Sequence, residues 1–173
     1  MFLYVGRQKN HKLMKTITVV AVFEVFDSFE KLPKEVQHLM EKAFEVRNTA
    51  YAPYSKFKVG AAILLDNKEI ITGSNQENAS YPSGLCAERT AIYYAGAKFP
   101  QAKIKRIAIS AKSMNHHLVI PIPPCGACRQ AISEYEVKQE APIEIYFMGE
   151  GGKVIKSNSL KDLLPLGFDG SYL

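Results

Sequence analysis

Three cysteines are the residues of this sequence whose types and positions best suit chemistry. Cys125 and Cys128 form a Cys-x-x-Cys pair, and Cys86 lies well before it. A Cys-x-x-Cys pair at a helix start places both sulfurs on one face, where free backbone N–H groups favour thiolates. Three thiolates in one place make a soft site that suits zinc. A redox disulfide and three buried small apolar side chains are the alternatives at this point.

The neighbours of the cysteines favour zinc over these alternatives. Glu88 follows Cys86 by two positions, and Pro124 directly precedes Cys125. A His or Cys followed by x-Glu, and later by Pro-Cys-x-x-Cys, is the signature of zinc deaminases that act on nucleobases. The sequence therefore predicts a deaminase-type zinc site.

The number of cysteines indicates which kind of zinc site this is. A structural zinc normally has four protein ligands, whereas a catalytic zinc keeps one position open for water. Three cysteines therefore predict one catalytic Zn²⁺ per chain. The alternative is that His116 or His117, in the loop before Cys125, closes the site and makes the zinc structural.

The residues after Cys86 could supply the proton chemistry. Zinc lowers the pKa of a bound water towards neutrality, and Glu88 would carry protons from that water to the substrate ring and to the leaving amine. Three thiolates make the metal electron-rich, and Arg89 could offset this by donating to the sulfurs. A solvated glutamate at a helix start and an ordinary surface arginine are the alternatives for these two residues.

The elements that position these residues follow from hydrophobic periodicity. A helix is predicted from about Pro33 to Tyr51, with Ser28 as a candidate cap. Further helices are predicted over 86–97, 126–137 and 160–164, and strands over 59–65, 70–72, 104–111, 143–148 and 153–156. Helices that alternate with strands predict an α/β fold, a three-layer α/β/α sandwich around a mixed five-stranded sheet.

Five short blocks of sequence between Phe29 and Phe168 form a series. They are APYSKF with VGAA (52–57 and 59–62), NQENASY (75–81), CAER (86–89), PCGACRQ (124–130), and LLP with the later Phe (163–165 and 168). In this order they resemble the small homotetrameric cytidine deaminases, which bind zinc through three cysteines. The resemblance implies zinc-dependent hydrolytic deamination of cytidine and 2′-deoxycytidine to uridine and 2′-deoxyuridine, with release of ammonia, in pyrimidine salvage.

The resemblance also implies roles for individual residues. Phe57 would stack on the pyrimidine, and Asn75 and Glu77 would hydrogen-bond the ribose 3′-hydroxyl. The backbone N–H of Ala87 would bind the carbonyl of the base. Phe168 would reach the site of a neighbouring subunit, so the partners implied are a nucleoside substrate and other copies of the chain in a homotetramer.

Two stretches depart from the family pattern. Residues 112–124 form a loop that is longer than usual. Residues 1–28 precede the first block, are polar and basic up to Lys15, and turn β-branched and aromatic over 17–26, which suits a strand. An added strand, a partner-binding segment and a translated leader before an internal start such as Met14 are the alternatives for this stretch. We therefore divide the chain into an N-terminal extension, residues 1–28, with no assigned role, and a zinc-dependent deaminase domain, residues 29–173.

Other function classes fit less well. A blasticidin-type nucleoside antibiotic deaminase would share the zinc and the glutamate, but Asn75 and Glu77 favour a ribose with free hydroxyls. A polynucleotide deaminase is disfavoured because the Glu77 carboxylate would repel a 3′-phosphate. The formal charge of the chain is +5. Residues 1–28 contain four basic and two acidic residues, so they contribute +2 of this charge. That mild bias, without a basic-aromatic stripe, argues against a non-catalytic zinc-stabilised module that binds nucleic acid.

The cysteine count and the hydropathy pattern bear on location. An odd number of cysteines argues against a disulfide framework, and the longest strictly apolar run covers only residues 19–23, whereas a membrane span needs about 20 such residues. The sequence therefore predicts a cytoplasmic enzyme that does not bind a membrane.

Overall fold

The computed structural model describes residues 15–173. Residues 1–14, the first half of the predicted extension, lie outside the described residues. The strands are β1 (Phe23–Phe26), β2 (Phe57–Leu65), β3 (Ile70–Ser74), β4 (Ile104–Ser113), β5 (Glu144–Met148) and β6 (Val154–Ser157). The helices are α1 (Lys34–Arg47), α2 (Ala87–Lys98), α3 (Gly126–Lys138) and the short α4 (Leu160–Leu163).

All six strands form one sheet in the order β1-β6-β5-β4-β2-β3. Strands β4 and β5 are parallel and are connected through α3, whereas the other neighbouring pairs are antiparallel. The predicted mixed sheet is confirmed, but the predicted number of five strands is wrong. The sixth strand comes from the extension, where β1 pairs with β6 from Phe23 opposite Ser157 to Phe26 opposite Val154. Of the predicted strand over 17–26, only these last four residues are in the sheet.

Helices cover both faces of the sheet, which confirms the three layers. Successive residues of a strand point to opposite faces. Ala108 of β4 packs in a cluster with α1, which contributes Leu39 and Met40. Its neighbours Ile107 and Ile109 pack on the other face, in a cluster with residues of α2 and α3 such as Ile92 and Ile132.

Two glycines let helices lie directly against the sheet. A Cβ at Gly60 of β2 would lie 2.1 Å from the carbonyl oxygen of Ala43 in α1. A Cβ at Gly73 of β3 would lie 2.7 Å from the carbonyl oxygen of Ala87, the first residue of α2. Any side chain at Gly73 would therefore push the start of α2 away from the sheet.

The start of α1 differs from the prediction. Ser28 precedes a short 3-10 turn over Phe29–Lys31, and its side chain makes no capping hydrogen bond. Pro33 is the N-cap residue of α1 instead, with φ −54°. The proline has no N–H to satisfy and its ring fixes φ, so the helix begins there without a side-chain cap.

The long loop before α3 is packed on the turn between β5 and β6. The Glu150 N–H donates to the Leu118 carbonyl oxygen at 2.8 Å, and Leu118 is 6% exposed. The Glu150 carboxylate contacts His117, and Lys112 Nζ lies 3.4 Å from its Oε2. Residues 112–118 are thus attached to a neighbouring turn by backbone and side-chain contacts.

Among residues 15–173, no helix is long and apolar enough to cross a membrane.

A charged network on the α1 side of the sheet generates a pH prediction. Arg106 Nε lies 2.5 Å from Glu144 Oε2, and Lys156 Nζ lies 3.4 Å from Glu144 Oε1. Burial alone would raise the pKa of Glu144, but the two cations hold it below its usual value. The network therefore adds stability above the unfolded-state pKa of about 4.3, and this stability is lost as pH falls through the folded-state pKa.

We expect Glu144→Gln to flatten the acid side of the stability profile. Urea unfolding between about pH 5 and 2.5 should show a smaller loss of unfolding free energy in the variant than in the unmodified chain. Glu134→Gln, at an exposed position of α3, is the matched control. Equal pH dependence in the unmodified chain and Glu144→Gln would contradict the prediction.

Candidate zinc and catalytic site

The N-termini of α2 and α3 meet at the three cysteines. Cys86 is the N-cap residue of α2 and Cys125 is the N-cap residue of α3. The Sγ atoms of Cys86 and Cys125 lie 3.7 Å apart, and those of Cys125 and Cys128 lie 3.5 Å apart. A tetrahedral zinc with Zn–S bonds of about 2.3 Å requires sulfurs about 3.8 Å apart. The three sulfurs therefore fit one zinc ion.

No histidine joins this group. Among residues 15–173, the three cysteines are the only set of His, Cys, Asp and Glu side chains placed to hold a metal. His116 Nδ1 lies 3.2 Å from Ser113 Oγ, and His117 contacts Glu150. The arrangement supports three protein ligands, which is the number that a catalytic zinc keeps. All three cysteines are free, so the redox disulfide is not formed here.

The Cys86 sulfur is held in the thiolate form that binds a metal, whereas the hydrogen bond with Cys86 and burial raise the pKa of the Cys128 thiol. Hydrogen bonds from Cys128 and then from Arg89 lower the pKa of the Cys86 thiol to about 5, against the opposing effect of burial. Arg89 Nη2 donates to Cys86 Sγ at 3.8 Å, and this contact raises the pKa of the guanidinium. Arg89 therefore occupies the place beside a sulfur that its sequence position predicted.

Glu88 is buried in the first turn of α2, with 5% of its surface exposed. Burial raises its pKa to about 7, and the negative charge of Cys86 acts in the same direction. A carboxyl group with a pKa near 7 can both accept and return a proton at neutral pH. The geometry thus places a buried carboxyl group with a pKa near neutrality beside Cys86 and Cys128.

A cavity of about 350 Å³ opens at this point. Its lining includes Tyr54, Asn75, Glu77, Cys86 and Arg89. Pockets for small molecules begin at about 300 Å³, so the cavity is large enough for a small polar ligand.

Asn75 makes contacts that the sequence did not indicate. Its Oδ1 accepts a hydrogen bond from the Val59 N–H at 2.7 Å, and its Nδ2 donates to the Phe57 carbonyl oxygen at 2.9 Å. The residue is only 9% exposed. Asn75 therefore holds the first residues of β2, including Phe57, in place.

Glu77 is also engaged with the chain. Its Oε2 accepts from the N–H groups of Tyr54 at 2.9 Å and Ser55 at 3.3 Å, and its Oε1 accepts from the Ser55 hydroxyl. Slight burial would raise the pKa of Glu77, but these hydrogen bonds hold the pKa below its usual value. Ser55 is the residue that sequence reasoning missed here, although it lies within the APYSKF block.

The remaining predicted residues are placed as follows. Ala87 is fully buried as the first residue of α2, where helix N–H groups have no partner within the helix. Phe57 begins β2 and is partly buried. Phe168 is 58% exposed and stacks on Tyr172, with ring centroids 5.6 Å apart. Neither phenylalanine is among the residues that line the cavity of its own chain.

Arg129 and Gln130 received no individual role from the sequence. Both side chains donate to backbone carbonyl groups of the C-terminal segment, residues 163–173. Their position directly after the last zinc cysteine was the one signal that could have indicated them.

The contacts of Asn75 generate a stability prediction. Asn75→Ala leaves the Val59 N–H and the Phe57 carbonyl without their partners, so we expect a loss of about 2–3 kcal/mol in unfolding free energy. Urea unfolding of the zinc-loaded chain measures this. Gln76→Ala, at the exposed neighbouring position, is the control. An unchanged unfolding free energy for Asn75→Ala would show that the amide does not hold β2.

Comparisons with known proteins agree with this site. Residues 33–141 match the family model described as the cytidine and deoxycytidylate deaminase zinc-binding region. A cytidine deaminase of Halalkalibacterium halodurans is 39% identical over 132 residues, which cover 76% of this chain and 92% of the relative. A cytidine deaminase of Mycoplasma pneumoniae is 37% identical, with 73% of this chain and 89% of the relative covered.

Solved structures show the same similarity. The crystal structure of cytidine deaminase from Burkholderia pseudomallei superposes with a TM-score of 0.66 at 37% identity and covers 79% of this chain and all of that one. The cytidine deaminase from Mycobacterium tuberculosis gives a TM-score of 0.61 at 28% identity, with 79% and 98% covered. With three sulfurs placed for one zinc and a buried glutamate beside them, the chain belongs to the zinc-dependent cytidine and deoxycytidylate deaminase family.

Proposed function

We propose that this chain catalyses the hydrolytic deamination of cytidine and 2′-deoxycytidine, with release of ammonia. The observation that carries the proposal is the buried Glu88 at the helix start that also supplies the zinc ligand Cys86. Two relatives that match this chain over 92% and 91% of their own length are named cytidine deaminase. The blasticidin-type and nucleic-acid-binding alternatives have no comparable support.

The chain's own residues account for proton movement. Cys86, Cys125 and Cys128 would hold zinc, which supplies a water activated at neutral pH when it is bound. Glu88 would take one proton from the attacking water as the C4–O bond forms and would pass it to the ring nitrogen N3. It would then carry the remaining hydroxyl proton to the amine, so that the C4–N bond breaks, ammonia leaves and the C4 carbonyl forms. A pKa of about 7 suits this alternation.

Binding and orientation of the nucleoside would fall to residues that line the cavity and to Phe57 and Ala87, which lie next to lining residues in the sequence or hydrogen-bond to them. Phe57 would stack on the pyrimidine, and the Ala87 N–H would donate to the carbonyl of the base. Asn75 supports this arrangement by holding the strand end that carries Phe57.

Glu77 would select the sugar. Its carboxylate would exchange the contact with the Ser55 hydroxyl for one with the ribose 3′-hydroxyl. The negative charge at this position would repel a 3′-phosphate, which favours free nucleosides over polynucleotides.

The site is completed by a second copy of the chain in this proposal. Phe168 is exposed and is not among the residues that line the cavity of its own chain, so it is free to reach a neighbouring subunit in a homotetramer. The three cysteines are free, which is typical of compartments that keep thiols reduced, and this supports the cytoplasm as the location.

The activity has a direct test. Purified zinc-loaded protein should convert cytidine to uridine, followed by ultraviolet absorbance, and Glu88→Gln should lower kcat by about 10²–10⁴-fold because the proton carrier is lost. Glu134→Gln, at an exposed position of α3, should leave kcat unchanged. No turnover of cytidine by protein that holds one zinc per chain would refute the proposed function. Full activity in Glu88→Gln would refute the role of Glu88.

We further propose that residues 29–173 form the deaminase domain and that the extension adds only its sixth strand. The extension contributes the β1–β6 ladder, and Glu24 Oε1 accepts from Lys156 Nζ at 2.9 Å and from Asn158 Nδ2 at 3.1 Å. These contacts lie on the edge strand of the sheet, away from the cysteines.

A chain of residues 29–173 tests the division into two parts. We expect it to bind zinc and deaminate cytidine, but to melt about 2–8 °C lower because β6 keeps its ladder with β5 but loses the one with β1, a change of about 1–2 kcal/mol. Calorimetry and zinc analysis of both chains measure this. A shortened chain that fails to fold or to retain zinc would show that the extension belongs to the domain itself.

A further inference from the structure

Arg129 contacts two parts of the fold that the proposed mechanism uses separately. Its Nε donates to the Pro124 carbonyl oxygen at 2.8 Å, directly before the zinc ligand Cys125. Its Nη1 donates to the Leu163 carbonyl oxygen, also at 2.8 Å, at the end of α4. One side chain therefore joins residues 124–128, which we call the zinc-binding turn, to the C-terminal segment.

The chemistry of the guanidinium suits this link. Its donors are fixed in one plane, so two of them can meet two carbonyl groups at the same time, whereas a lysine ammonium is a compact point charge on a flexible stem. The Leu163 carbonyl ends a helix, where carbonyl groups have no partner within the helix. Arg129 thus satisfies a helix end and fixes the turn before Cys125 in one interaction.

The next residue extends the link. Gln130 Nε2 donates to the Phe168 carbonyl oxygen at 2.9 Å. Two consecutive residues of α3 therefore hold the C-terminal segment at Leu163 and at Phe168. The aromatic side chain of Phe168 is left exposed while its backbone is held.

The start of α4 is attached independently. Glu136, buried in α3, accepts from the Ser159 hydroxyl at 2.6 Å and from the Leu160 N–H at 2.9 Å. These contacts remain when Arg129 is replaced. Loss of Arg129 should therefore free the end of α4 and the turn before Cys125, and leave the attachment of the helix itself.

We propose that Arg129 is a positioning residue that couples the zinc-binding turn to the C-terminal segment, and that Gln130 completes this coupling at Phe168. The Phe168 half of the inference rests on the proposed function. The zinc half does not, because retention of the metal can be measured without substrate.

The first experiment measures zinc release from the full chain to a chromophoric chelator. Arg129→Met and Arg129→Lys should release zinc about 10-fold faster than the unmodified protein, because residues that orient metal ligands typically contribute 10- to 100-fold to metal affinity. Lys138→Met removes a long cation from the exposed end of the same helix and should release zinc at the unmodified rate. If Arg129→Met does not fold, Arg129→Lys keeps a donor and still decides the result. Release at the unmodified rate from the Arg129 variants would overturn the zinc half of the proposal.

The second experiment follows the C-terminal segment. The chain contains no tryptophan, so Tyr172→Trp introduces a single reporter at the residue that stacks on Phe168. In this background Gln130→Ala and Arg129→Met should lower the fluorescence anisotropy, whereas Lys138→Met should not. Gln130→Ala should also raise KM for cytidine several-fold with little change in kcat and no change in zinc release.

The outcomes separate the two proposals. Unchanged anisotropy and unchanged KM in Gln130→Ala would overturn the coupling to Phe168. If the unmodified protein does not turn over cytidine, the proposed function fails, while zinc release and anisotropy still decide the coupling.

Discussion

The convergence of two helix N-termini on one point is the constraint on which the rest of this structure depends. Cys86 and Cys125 each precede a helix, and Cys128 lies one turn further along α3. Free N–H groups and the helix dipoles favour negative charge at this point, and Arg89 adds a positive charge beside Cys86. Three sulfurs can therefore approach within bonding range of one cation, and Glu88 is carried into the same site by the helix that begins at Cys86.

Close packing against the sheet is what keeps this point in register. Gly73 allows the first turn of α2 to rest on β3, where any Cβ would collide with Ala87. The parallel pair β4 and β5 requires a crossover connection, and α3 is the helix of that connection. The positions of α2 and α3 on the sheet therefore determine where the site forms.

Around the cysteines, polar side chains hold backbone groups. Asn75 binds the first residues of strand β2, Glu77 binds the turn before that strand, and Arg129 binds the turn before Cys125. Each contacts backbone groups at the end of a strand or in a turn, where regular ladders and helices leave such groups without partners. The resemblance assigns two of these residues to the sugar, and the structure shows that they also support the walls of the cavity that would receive it.

Much of this architecture could be predicted from the sequence. The signature around Cys86 and Cys125 indicated the metal and the proton carrier, because ligand type and spacing are properties of the chain itself. Hydrophobic periodicity indicated the helices, the strands after the first and their layers, because burial of alternate residues shows in the sequence. The cap at Ser28 was wrong because Pro33 starts the helix, and five strands were predicted because periodicity does not show whether an apolar segment such as 17–26 finds a free sheet edge.

What only the tertiary structure decided is which distant groups meet. β1 pairs with β6, His117 contacts Glu150, and Arg129 reaches Leu163, and all three are contacts between residues far apart in the sequence. No local preference encodes such contacts, since they depend on how the sheet orders its strands and on which backbone groups that order leaves without partners. The sequence by itself determined the chemistry at the cysteines, because it depends on residue types at short spacing, and the fold determined what holds that chemistry in place.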